Sequence, residues 1–172
     1  MKINTKDLTL ISLFCAIICI FSIISIPIGP VPISICVLAI FLSSIVLGFK
    51  KSIITVIVYI LIGSLGLPVF SGFRGGVQVL FGPTGGYIFS YIFIAGIMGL
   101  ASDNLSKIKH KKMFLFSTSL LSLFICYITG SVQYMLIYSI EFKKALISSA
   151  FIFLPFDILK SVLAIIIGTR IK

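Results

Sequence analysis

Long apolar runs, separated by short basic segments, leave this chain few folds to choose from. Residues 8–26 carry no charge; residues 33–49 form a second such run and residues 52–65 a third. A fourth uncharged run covers residues 75–102, with its helical part expected from about Gly85. Residues 113–140 are the longest run, and residues 145–168 are apolar except for Asp157 and Lys160. A transmembrane helix needs roughly 17–25 apolar residues, and backbone groups cannot face lipid unpaired. The expected fold is therefore an all-α integral membrane protein, with six transmembrane helices in one bundle and residues 1–172 as a single domain. The run at 113–140 exceeds an upright span, so its helix is expected to tilt or to leave the membrane early.

Composition supports this reading. The chain is 59% hydrophobic and 10% charged, where a soluble domain carries about 25% charged residues. The net charge of +10 does not mark a nucleic-acid binder, because the basic residues form no single face. They fall between the runs, as membrane loops require. With both termini inside, the inner segments hold Lys2, Lys6, Lys50, Lys51, Lys107, Lys109, Lys111, Lys112, Arg170 and Lys172, and the outer ones Arg74, Lys143 and Lys144. This asymmetry places the N- and C-termini in the cytoplasm. MKINTK resembles the basic start of a signal peptide, but the run after it is too long and lacks an A-x-A-like site, so a retained helix is expected.

Between the third and fourth runs lies GLPVFSGFRGGVQVLFGPTGGY, residues 66–87. Irregular backbone at membrane depth must be buried in protein or line a cavity. Glycine permits positive φ and close approach, and Pro68 and Pro83 stop the flanking helices. An ordinary outer loop is one reading. A pocket wall or lid is the other, favoured by the apolar Val69, Phe70, Phe73, Val77, Val79, Leu80 and Phe81, which should tuck into the bundle.

A second signal is FLPFDILK, residues 153–160. Proline suits a helix first turn and disfavours helical geometry in the residue before it. The last span is expected to start near Pro155, after a short outer helix at 143–152. Asp157 and Lys160 then share one face as an i,i+3 pair. Ionisable residues in such a segment are costly and commonly functional; the bland reading is a self-neutralising pair or a snorkelling lysine.

Other residues exclude more than they suggest. Cys15, Cys19, Cys36 and Cys126 lie in apolar runs without a CxxC or Cys/His cluster, and read as small buried hydrophobes rather than metal ligands. His110 sits in the basic KIKHKK run, placed to meet anionic headgroups or a cytoplasmic partner. Tyr87, Tyr91 and Tyr127 are candidate pocket or interface residues. GPTGG lacks the Lys and Ser/Thr of a phosphate loop, the four carboxylates are scattered, and no channel filter is visible. No cofactor is expected.

IPIGPVPIS, LGLPVFSGFRGGVQVLFGPTGGY and FLPFDILK, in that order and on those spans, resemble the BioY family, the biotin-binding S components of energy-coupling factor (ECF) vitamin transporters. The resemblance covers nearly the whole chain. It implies the ECF S-component fold, with the loops after the first and third helices closing over a bound vitamin. It implies high-affinity biotin binding by a subunit that is not an enzyme, is multi-pass in a prokaryotic cell membrane, and works with an ECF transmembrane scaffold and two cytoplasmic ABC ATPases. By the same resemblance Asp157 and Lys160 belong to the biotin site. The loop contributes Gly72, Gly75 and Gly76, with Tyr87 just beyond; Arg74 and Gln78 of the loop and Tyr127 of the fifth span are further candidate binding residues beside those the resemblance implies. Cys36 stands where many members carry glutamine, Gly72 where relatives often have asparagine, and Gln78 where a small residue is usual. Ser12 and Ala16 partly match the small-residue motif by which the first helix meets the scaffold. A stand-alone vitamin permease is the nearer alternative, and a small membrane enzyme acting on a lipid-like substrate the more distant one.

Overall fold

Asn4 opens the first helix: its side-chain oxygen accepts the Thr5 N–H at 2.7 Å, the local bond that favours asparagine at a helix start. The structure, a computed structural model, describes residues 4–26, 31–148 and 153–172. Helix α1 (Thr5–Ile23) buries Ile11, Phe14, Cys15, Ile18 and Ser22, a spacing that keeps one stripe inward. Its Leu8, Leu13 and Ile20 point outward, as lipid-facing side chains would. A two-residue hairpin follows. Strand β1 (Ser25–Ile26) pairs antiparallel with β2 (Ile33–Ser34), Ser25 opposite Ser34 and Ile26 opposite Ile33.

Helix α2 (Cys36–Leu47) is buried almost all round, including Ala39, Ile40, Phe41 and Ile45. A helix apolar on every side belongs at the centre, and α2 packs against α1, α3, α5 and α8. It ends at Gly48, whose φ of +75° disfavours any side chain, and a β-carbon there would collide with the Asp103 carboxylate. Helix α3 (Phe49–Ser64) starts at once, its first N–H donating to Asp103 Oδ2 at 3.0 Å. The run at 33–49 is thus not one helix but strand, twelve-residue helix and glycine turn. The third helix begins three residues before the expected Ser52.

After the loop and its single turn α4 (Val77–Leu80), helix α5 (Gly85–Asp103) starts where the glycines predicted. Helix α6 (Lys111–Tyr138) follows a short 3-10 turn at Leu105–Lys107. Helix α5 packs on both α3 and α6, and glycines allow the close approach. A side chain at Gly99 would meet the backbone of Phe49, and one at Gly86 the backbone of Thr129. Short α7 (Phe142–Leu146) agrees with the expected outer helix as far as residue 148; residues 149–152 of that expectation lie outside the described residues. Helix α8 (Leu154–Ile171) has Pro155 in its first turn.

Among the described residues three helices, Thr5–Ile23, Gly85–Asp103 and Lys111–Tyr138, are long and apolar enough to cross a membrane, and Cys36–Leu47 is a shorter apolar one. Helix α3, of 16 residues, is shorter than those three, and α8 carries Asp157, Lys160 and Arg170.

The chain passes back and forth, so its turns collect at two ends. One end joins the starts of α1, α3 and α6 to the ends of α2, α5 and α8. Lys51 bonds Asp7 at 2.5 Å, Ser102 Oγ donates to Ile45 O at 2.5 Å, and Lys172 Nζ donates to Ser102 O at 2.7 Å. The other end carries the hairpin, the glycine-rich loop, α7 and the start of α8.

Candidate functional site

The loop is held by one aromatic anchor. Phe70 is fully buried, edge-on to Tyr59 with centroids 5.6 Å apart, and its ring occupies the space a side chain at Gly63 would need. Phe70 and Arg74 exchange both backbone hydrogen bonds, N–H to O at 2.9 and 3.3 Å. The tip between them turns through Gly72 (φ +75°) and Phe73 (φ +58°). The Gly72 N–H donates to Ser25 Oγ at 3.0 Å, which ties the loop to the hairpin. The Gly76 N–H donates to Gly63 O at 2.7 Å, pulling the far side back onto α3. The loop does fold onto the bundle, but only in part: Phe70 and Leu80 are buried, whereas Phe73, Val77 and Phe81 point outward.

On the neighbouring side, α8 contributes the ionisable pair. Lys160 Nζ donates to Asp157 Oδ1 at 2.7 Å, as the i,i+3 spacing predicted, and to Ser34 O at 2.7 Å. Tyr127 OH donates to the other carboxylate oxygen, Oδ2, at 2.7 Å. Asp157 is 5% exposed. One lysine thus links the hairpin to α8, and one carboxylate links α8 to α6. Both of its oxygens have protein donors, so the self-neutralising arrangement is present. Among the described residues no buried side-chain polar atom lacks a partner.

Beside the pair lies a cavity of about 40 Å³, lined by Val31, Pro32, Ile33, Ser34, Val37, Tyr87, Tyr91, Cys126, Tyr127, Phe153, Asp157 and Lys160. A second cavity of about 30 Å³ shares Val31, Pro32, Tyr87 and Tyr91, and is otherwise lined by Tyr59, Phe70, Ser71, Val79, Thr84 and Ile88. The four shared residues are the partition between the two. Tyr87 and Tyr91 stand one turn apart on α5, on one face. The chemistry on offer is a fixed cation, a carboxylate and a phenol at one end, with an aromatic and aliphatic chamber behind the tyrosines.

The expected site residues therefore divide. Asp157, Lys160, Tyr87 and Tyr127 come together around the first cavity. Gly72, Arg74, Gly75, Gly76 and Gln78 line neither cavity. Gly72 and Arg74 sit at the exposed tip, and a side chain at Gly75 would press on the Gly66 carbonyl at 2.7 Å. Gln78 donates to Gly75 O at 2.8 Å. These five shape the loop. Cys36 also lines neither cavity: it is fully buried, its thiol beside Ser22 and Tyr59, whose oxygens lie 2.7 Å apart. The four cysteines are free, with Cys15, Cys36 and Cys126 buried as expected and Cys19 half-buried, and no metal-binding cluster occurs among the described residues.

Sequence reasoning missed the lining by Pro32, Ser34, Tyr59 and Cys126, whereas Phe70 was among the loop residues expected to form a pocket wall. Tyr59 had a usable signal, since a phenol within an apolar span needs a partner. The Ser34 carbonyl had none.

Comparison with known proteins agrees with this architecture. The sequence model of the BioY family matches residues 1–172. A biotin transporter BioY of Thermotoga maritima is 40% identical over 168 residues, 97% of this chain and 96% of the relative. A probable biotin transporter BioY of Pyrococcus horikoshii is 35% identical over 169 residues, 98% of each chain. A solved S-component for biotin from an ECF-type ABC transporter superposes with a TM-score of 0.85 at 28% identity, covering 96% of this chain and 89% of that one. These relatives are transport proteins rather than enzymes. On a match that spans every residue, the chain belongs to the BioY family.

Proposed function

We propose that this chain is the biotin-binding S component of an ECF-type transporter, taking the vitamin from outside the cell and passing it inward with a membrane scaffold and two cytoplasmic ATPases. One observation carries the reading: the Asp157–Lys160–Tyr127 cluster opens on a cavity that the aromatic chamber extends, under the hairpin and beside the loop. Biotin needs such a mixture. Its ureido group needs an acceptor and donors, its carboxylate a cation or N–H groups, and its fused rings an apolar wall.

Cavities of about 40 and 30 Å³ are far smaller than the roughly 300 Å³ at which small-molecule pockets begin. Binding therefore requires the Pro32, Tyr87 and Tyr91 partition to part and the two chambers to merge. In this reading the segment bearing Val31 to Ser34 moves, drawing the buried Val31 and Ile33 from the core. Its polar ties are Lys160 to the Ser34 carbonyl and, by way of its partner strand, Ser25 to Gly72. A ligand that takes over the Lys160 ammonium competes with the Ser34 carbonyl, which couples occupancy of the site to the hairpin.

In this reading the chain makes six passes with both termini in the cytoplasm of a prokaryotic cell, α2, α3 and α8 crossing together with the three longer or more apolar helices. The clustering of Lys6, Lys51, Lys107, Lys111 and Lys172 at one end supports it. A titration of purified chain with biotin and two other water-soluble vitamins tests the ligand. Selective saturable binding of biotin is expected; equal binding of all three, or conversion of any to product, would refute it.

A further inference from the structure

At the basic end, α5, α6 and α8 border a separate, open cavity of about 320 Å³ lined by Ser102, Asp103, Leu105, Ser106, Lys111, Thr169 and Lys172. Its position is set by buried structure. Ser102 is 1% exposed. It holds Lys172 at two points, Nζ donating to Ser102 O at 2.7 Å and to Oγ at 2.6 Å. An ammonium has three N–H donors, so one remains for a ligand. Lys111 has no hydrogen-bond or ion-pair partner among the described residues. Asp103, the one acidic side chain of the lining, accepts the Phe49 N–H at the start of α3 and also attracts Lys172. Helix α6 begins at the cavity with Lys111, and its cap residue His110 makes no side-chain cap bond. Its first-turn N–H groups and positive dipole end lack a side-chain acceptor there. Ser106 adds a hydroxyl donor, while the Thr169 hydroxyl donates to Ile165 O at 2.7 Å. Lys107, Lys109, Lys112 and Arg170 extend the positive field around the rim.

We propose that this cavity seats the phosphate of an anionic phospholipid headgroup, Lys111 and Lys172 pairing with it while the acyl chains lie along the bundle. Basic pockets between helices on the cytoplasmic side suit such headgroups. The choice of the inner leaflet rests on the topology given above; the chemistry of the pocket does not. An occupied pocket joins the end of α8, whose start carries Asp157 and Lys160, to α5 and α6.

The test is native mass spectrometry of the full chain in detergent, titrated with phosphatidylglycerol and with phosphatidylcholine of the same acyl chains. Phosphatidylglycerol should bind about tenfold more tightly. The K111Q/K172Q pair should abolish that preference, K111R/K172R should keep it, and K109Q/K112Q, which removes equal charge from the rim, should keep most of it. Retained biotin binding in each variant separates loss of the pocket from loss of the fold. Three outcomes overturn the proposal: no preference in the wild-type chain, equal loss in the rim variant, or displacement of the lipid by equimolar inorganic phosphate. Because detergent has no sides, an inverted topology would move the lipid to the other leaflet and leave the preference intact.

Discussion

Replacing Gly130 with alanine puts one methyl group against the ring that divides the two cavities. A β-carbon at Gly130 would lie 2.5 Å from Tyr87 Cδ1 and nearer still to Cε1 and Cζ, where ordinary contact is 3.4–4 Å. The ring must move by about 1 Å or α6 must back away from α5; overpacking of this kind costs about 1–3 kcal/mol. Alanine also gains up to about 1 kcal/mol over glycine within a helix, so the net loss of stability should be small. The displaced ring moves among the residues that must part for the chambers to merge. Biotin affinity should fall by roughly tenfold, the equivalent of 1.4 kcal/mol, while the melting temperature changes by only a few degrees. Two other glycines calibrate the result. At Gly96 a β-carbon meets Phe49 and Ile53 side chains at 3.5–3.6 Å, so Gly96→Ala should leave affinity unchanged and raise stability by up to about 1 kcal/mol. At Gly99 it would sit 2.6 Å from Phe49 Cα, backbone that cannot swing aside, so Gly99→Ala should lower stability sharply. Calorimetric biotin titration and thermal unfolding measure all three. Unchanged affinity in a folded Gly130→Ala protein would refute the role given to the Tyr87 partition.

Further predictions address the loop, the orientation and the energy source. Phe70→Ala removes the buried anchor and should cost about 3 kcal/mol, seen as faster proteolytic nicking at residues 71–74 in a protein whose helices remain intact; unchanged nicking would show that the loop is held elsewhere. Single cysteines at Arg74 and Lys109 should label from opposite sides of intact cells, Arg74 from outside, and labelling of both by an impermeant reagent would contradict the six-pass topology. Biotin affinity of the isolated chain should be insensitive to ATP, and concentrative uptake in liposomes should need the scaffold and ATPases; uptake by the chain alone would favour the permease reading.

Much of the helical framework was legible because a lipid-facing helix announces itself by length and apolarity, and Gly85 and Pro155 mark their helix starts by backbone chemistry alone. The pair on α8 was legible for the same reason, since Asp157 and Lys160 need only helical spacing to meet. The break at Gly48 was hidden: a single glycine within an uncharged stretch looks like continued helix until the Asp103 carboxylate, 54 residues away in the Phe49 bond, occupies the place of its side chain. The loop misled differently. Phe70 and Phe73 are equally apolar, and only the left-handed backbone at Gly72 and Phe73 decides that Phe70 turns inward and Arg74 outward. The Ser34 bond to Lys160 spans 126 residues and uses a carbonyl that every residue possesses. Long-range contacts to backbone carry no mark in the sequence.

The central claim is that biotin is held at the Asp157–Lys160 pair, and one measurement bears on it most directly: biotin affinity of purified wild-type, Asp157→Asn and Lys160→Met chains under identical conditions. Asparagine keeps the shape of the carboxylate but presents a donor on one side, and methionine keeps the stem of the lysine without its charge. Leaving a buried polar partner unmatched costs about 1–3 kcal/mol, more when it is charged, so each variant should bind biotin at least about tenfold more weakly while eluting as a folded species. Wild-type affinity in both well-folded variants would show that the pair only neutralises itself, and that biotin is held elsewhere.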